Sequence, residues 1–66
     1  MDMWSGRQAD VRSLTNNRGR VVGRVMKRVG SRKWSSCYTF DTNMKIKAST
    51  SKAKLADARD WVEQNK

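Results

Sequence analysis

Residues 33–48 read Lys33-Trp34-Ser35-Ser36-Cys37-Tyr38-Thr39-Phe40-Asp41-Thr42-Asn43-Met44-Lys45-Ile46-Lys47-Ala48, and this stretch decides the fold. Side chains alternate across a strand, so Trp34, Ser36, Tyr38 and Phe40 fall on one side and Lys33, Ser35, Cys37 and Thr39 on the other. Asp41-Thr42-Asn43 has turn chemistry. Met44, Ile46 and Ala48 then alternate with Lys45 and Lys47, the pattern of a half-buried strand. Two such runs joined by a short turn make an antiparallel hairpin.

Upstream, residues 20–29 read Arg-Val-Val-Gly-Arg-Val-Met-Lys-Arg-Val. Val22, Val25, Met26 and Val29 fit helical spacing, and Val21, Val25 and Val29 fit strand spacing. The four valines and the internal glycine favour a strand, with Val29-Gly30-Ser31-Arg32 as its turn. Downstream, Leu55, Ala58, Trp61 and Val62 share one face of a C-terminal helix. Thr50 or Ser51 is placed to cap that helix, and Arg59 and Glu63 stand at i,i+4. Lys52 and Lys54 in its first turn oppose the helix dipole, which suggests another use for them. Ser5-Gly6-Arg7-Gln8 matches a capping box, so residues 1–17 read as a short helix from about Gly6 to Thr15 or as a loosely ordered arm. The expected fold is α+β: a three-stranded antiparallel sheet over residues 18–66 packed on one C-terminal helix, with a possible short N-terminal helix.

The 66 residues allow one small domain, and the mean hydropathy of −0.91 leaves little material for a core. No apolar run is long enough to span a membrane, and no secretory signal is read at the start. A lone cysteine, Cys37, cannot form an internal disulfide, so a reducing cytoplasmic setting is expected. Histidine is absent, which removes Cys/His zinc sites and His-activated nucleophiles. The six acids show no pairing that calls for catalysis. No enzymatic role, metal or cofactor is expected.

Charge is the informative property. Fifteen Lys and Arg against six acids give a net +9. Residues 18–34 hold Arg18, Arg20, Arg24, Lys27, Arg28, Arg32 and Lys33 with no acid, a local +7, whereas residues 55–66 sum to −1. Alternation assigns Val21, Val25, Val29, Trp34, Tyr38, Phe40, Met44 and Ile46 to the helix-covered side. The other side then carries a cationic face whose expected nucleic-acid-binding residues are Arg20, Arg24, Arg28, Arg32, Lys33, Ser35, Lys45 and Lys47. Arginine bridges phosphates or reads guanine edges, lysine adds point charge, and hydroxyls donate to phosphate oxygens. Trp34, Tyr38 and Phe40 would also suit stacking of single-stranded bases, but their place opposite the lysines reads as core.

The order strand, strand, strand, helix resembles the arm-type DNA-binding domains of tyrosine-recombinase integrases and the related plant ethylene-response fold. Lys33-Trp34 opening the second strand, Ser51-Lys52 before the helix, and Ala58-Arg59-Asp60-Trp61 near its end carry the likeness over about residues 18–64. Ala48-Ser49-Thr50 stands where those domains have a glycine and a large aromatic. The resemblance implies that the sheet lies in the major groove of duplex DNA and that Arg20, Arg24, Arg28, Lys33, Ser35 and Lys45 contact it, as in a free-standing phage or mobile-element module. Two other partners fit a basic face: an acidic host protein, as for a phage inhibitor, and single-stranded RNA.

Overall fold

In the computed structural model, which describes residues 1–66, five strands follow one another: β1 (Met3–Ser5), β2 (Val11–Thr15), β3 (Val21–Met26), β4 (Trp34–Phe40) and β5 (Ile46–Lys52). They form one antiparallel sheet in the order β1-β2-β3-β4-β5, and helix α1 (Leu55–Asn65) packs across β3, β4 and β5. The sheet therefore has five strands rather than three. The expected N-terminal helix or arm is instead its first two strands.

Side-chain anchors explain why residues 1–17 join the sheet. Leu14 is fully buried in the core. Trp4 donates its indole N–H to Glu63 Oε1 at 2.9 Å, with the Arg59 guanidinium 5.2 Å from its ring. Lys66 bonds Asp2, so the chain's two ends meet. Arg12 Nη1 donates to the carbonyls of Gln8, Ala9 and Val11, which holds the β1–β2 loop in a non-helical path. These contacts outweigh the weak local signal of a capping box.

The register sets the two faces. Trp4, Leu14, Gly23, Thr39 and Ala48 form one cross-strand row, and Arg12, Val25, Cys37 and Thr50 the next. These rows lie under α1, whose Ala58 and Val62 complete a core with Leu14, Val22, Val25, Trp34 and Cys37. Leu55 and Trp61 pack at its margin, as the helical spacing predicts. The approach is close: a Cβ on Gly23 would stand 2.2 Å from Val62 Cγ1. Only small side chains fit there, and Gly23, Thr39, Ala48, Cys37 and Ala58 supply them.

That requirement reverses the expected polarity of β4. A register shift between Trp34 and Cys37 leaves Trp34 buried but turns Cys37 and Thr39 inward and Tyr38 and Phe40 outward. A bulge inserts one residue and so swaps the side on which every later residue points. The Cys37 thiol donates to the Trp34 carbonyl across this irregularity at 3.3 Å. Val29, Met44 and Ile46, also expected in the core, are 89%, 51% and 58% exposed. Thr50 and Ser51 belong to β5, and the N-cap of α1 is Lys54, which has no side-chain capping bond.

Candidate nucleic-acid interface

The structure does not collect the expected site residues on one face. Arg24 alone occupies the centre of the open side, in the row Ser5, Ser13, Arg24, Tyr38, Ser49. Its Nε donates to Ser13 Oγ at 3.3 Å, and its guanidinium lies 6.0 Å from the Phe40 ring. Ser35 and Lys47 are exposed in β4 and β5. Arg28, Arg32 and Lys33 lie in the β3–β4 connection, at the end of the sheet where Val11, Met26 and Ser36 align. Arg20 and Lys45 lie at the opposite end, in the β2–β3 and β4–β5 turns. The strand parity that was to gather these cations is broken by the bulge in β4 and by the exit of Arg28 from β3.

The two turns at that opposite end have one design. In Asn16–Arg20, the Asn16 carbonyl accepts from Gly19 N, its N–H donates to Arg20 O, and its side-chain oxygen accepts from Arg18 N and Arg20 N, each near 3.0 Å. In Asp41–Lys45, the Asp41 carbonyl accepts from Met44 N, its N–H donates to Lys45 O, and Oδ1 accepts from Asn43 N and Lys45 N. The fourth position of each is left-handed: Gly19 at φ 82° and Met44 at φ 63°. Arg20 Nη1 donates to the Asp41 carbonyl at 2.9 Å and joins the two turns.

The other end concentrates charge. Arg7 of the β1–β2 loop, Lys27, Arg28, Arg32 and Lys33 of the β3–β4 connection, and Lys52 and Lys54 at the close of β5 all converge there. Only Lys27 is ion-paired, with Asp10 at 3.4 Å, and its Nζ also reaches Ser31 O at 3.1 Å. The loop is shaped rather than loose. Ser31 N donates to Arg28 O, Gly30 takes φ 83° at the third position as a type II turn requires, and Ser31 Oγ accepts from Lys33 N. Trp34 braces the base of this end, with Arg12 at 5.6 Å and Lys27 at 5.8 Å from its ring. Arg7, Lys52 and Lys54 were not among the expected site residues. The one sequence signal for the two lysines was their wrong sign for a helix start.

Charge is also divided between the two layers. Thirteen of the fifteen cations lie in residues 1–54 beside three acids. Each of those acids is engaged within the fold: Asp2 by Lys66, Asp10 by Lys27, and Asp41 by turn amides. No strand contains an acid, and Asp57, Asp60 and Glu63 all lie on α1, behind the sheet. The remaining acids are thus gathered on α1, while the cations lie on the sheet and, for the most part, in the loops at its two ends. No group of three or more acid or cysteine side chains is placed to hold a metal ion, and no helix is long and apolar enough to cross a membrane. Burial pushes the Cys37 thiol pKa up, against a smaller opposing pull from the Lys52 backbone and charge. No known family model, curated protein or solved structure matches this chain.

Proposed function

We propose that the protein is a small nucleic-acid-binding module that engages phosphates through the basic end formed by Arg7, Arg28, Arg32, Lys33, Lys52 and Lys54. The supporting observation is that these six cations converge without an ion-pair partner among them. Surface cations are ordinarily diluted with acids, because like charges raise the energy of the fold. A polyanion relieves that repulsion and releases its own condensed counterions.

The chemistry is phosphate binding by Arg and Lys, with Ser31 and Ser35 nearby as hydroxyl donors. The test is a fluorescence-anisotropy titration of labelled oligonucleotides at several salt concentrations. The slope of log K against log salt is expected to fall by about 1 for each phosphate-contacting cation replaced by alanine. The triple replacement Arg28→Ala, Arg32→Ala, Lys33→Ala is therefore expected to flatten it markedly while leaving the circular dichroism spectrum intact. An unchanged slope in that variant, or no binding by the natural chain at low salt, would refute the reading.

A further inference from the structure

Beyond the phosphate-binding end, the open face of the sheet has a composition that phosphate binding does not explain. Tyr38 and Phe40, two residues apart on β4, present half-buried rings on the side without a helix. Arg24 lies beside both, paired in register with Tyr38 and 6.0 Å from the Phe40 ring. Ser5, Ser13 and Ser49 continue the same row toward both edges, and Lys47 stands exposed next to Ile46, the partner of Phe40. The face carries no acid.

We infer that this face is a base-stacking platform for single-stranded nucleic acid, with Tyr38 and Phe40 as the stacking rings and Arg24 as the cation beside them. The inference rests on the nucleic-acid reading and names the form of the ligand. Duplex DNA hides the flat faces of its bases within the stack, so exposed rings on a sheet gain nothing from it. A single strand offers those faces freely, and any base stacks on an aromatic ring. The guanidinium of Arg24 adds a planar cation for stacking or for a phosphate. Hydroxyls along the row suit sugar and phosphate oxygens. The net charge of +9, with Arg24 on the face and cations at both ends of the sheet, favours a polyanion over a neutral or basic protein partner. Two chain ends of the strand have places to go: toward the basic end at one side, and toward Arg18, Arg20 and Lys45 at the other.

The test compares single-stranded DNA, single-stranded RNA and the matching DNA duplex for the natural chain and for Tyr38→Leu and Phe40→Leu. Leucine keeps the face apolar while removing the ring, and thermal melts verify that each variant folds. Each replacement is expected to weaken single-strand binding by roughly ten- to a hundredfold and to leave duplex binding within about twofold. The two single-stranded probes show whether the sugar matters. Preference of the natural chain for duplex, or unchanged single-strand affinity in both folded variants, would overturn the inference while leaving phosphate binding standing. A dimer in sedimentation that Tyr38→Leu dissociates would also overturn it, by showing that a second copy covers the face. Loss of binding to every probe in the natural chain would instead remove the parent reading.

Discussion

Replacing Gly23 by alanine tests the packing on which both faces depend. The added methyl would stand 2.2 Å from Val62 Cγ1 and 3.2 Å from the Tyr38 carbonyl, and side-chain carbons do not approach that closely. Val62 is fully buried on α1, and a β-branched side chain in a helix has one strongly preferred rotamer, so it cannot turn aside. The helix must shift off the sheet or the strand must bend. Overpacking of this kind costs about 1–3 kcal/mol, set against a gain of about 0.5–1 kcal/mol from stiffening a strand glycine. At about 0.05–0.15 kcal/mol per residue, this chain has only about 3–10 kcal/mol in all, so the net loss is a sizeable fraction. The net loss of about 0.5–2 kcal/mol, at roughly 4–8 °C per kcal/mol for this size, is expected to lower Tm by about 2–16 °C in a thermal melt followed by circular dichroism. Val62→Ala alone is expected to cost about 2 kcal/mol from lost burial and the remaining cavity. In the double variant the new methyl occupies the vacated space, so the two losses are expected to fall short of additive by about 0.5–3 kcal/mol. A Gly23→Ala variant as stable as the natural chain, or strict additivity in the double variant, would refute the close helix–sheet contact.

Thr39 is fully buried and its Oγ1 has no hydrogen-bond partner, so Thr39→Val is expected to raise stability by about 1 kcal/mol in denaturant titration. Met44 occupies the left-handed position that glycine fills in the twin turn, and Met44→Gly is expected to stabilise by up to about 1 kcal/mol, whereas Gly19→Met is expected to destabilise. Lys54 caps α1 without a side-chain bond; Lys54→Asp is expected to add about 1 kcal/mol while weakening nucleic-acid binding in the anisotropy titration. The buried Cys37 thiol has its pKa raised above its ordinary value of about 9.0. Its contribution is therefore complete below that value and lost as pH rises through the higher folded-state value, because only the unfolded chain ionises readily. Unfolding free energy is expected to decline above pH 9.0 in the natural chain and to decline less in Cys37→Ala.

The legible parts of the fold were those with redundant local signals. The α1 stripe of Leu55, Ala58, Trp61 and Val62 and the strand character of residues 21–26 and 34–40 each rest on several residues. Strands β1 and β2 were not legible because what holds them is distant in sequence: Trp4 meets Glu63, Asp2 meets Lys66, and Leu14 enters the shared core. The start of β5 was misplaced because Asp41 organises a turn running to Lys45, which consumes two residues that alternate like a strand. The candidate site suffered most, since a face is an inference from parity, and parity fails at a single inserted residue.

That insertion, just after Trp34, links the packing of the core to the composition of the open face. Had β4 run without it, Tyr38 and Phe40 would have lain beneath α1, opposite Gly23, where there is no room for a ring within reach of Val62. Trp34 stays inside at the sheet's basic end, where Arg12 and Lys27 lie over its ring. The shift between Trp34 and Cys37 satisfies both demands: a large indole at that end and small side chains opposite Gly23, where the helix presses closest. Turning the two rings outward is then the consequence of close packing on the other side. Outward rings on a layer free of acids are stable in water only at the cost of exposed apolar surface, so the same device that closes the core leaves a surface suited to a flat, anionic ligand. Deleting Ser35 removes the extra residue and leaves Trp34 and Cys37 two positions apart, both still inward, so the variant is expected to fold with Tyr38 and Phe40 outward as before. Loss of a cooperative thermal melt in that deletion variant would show that the extra residue is itself required by the packing.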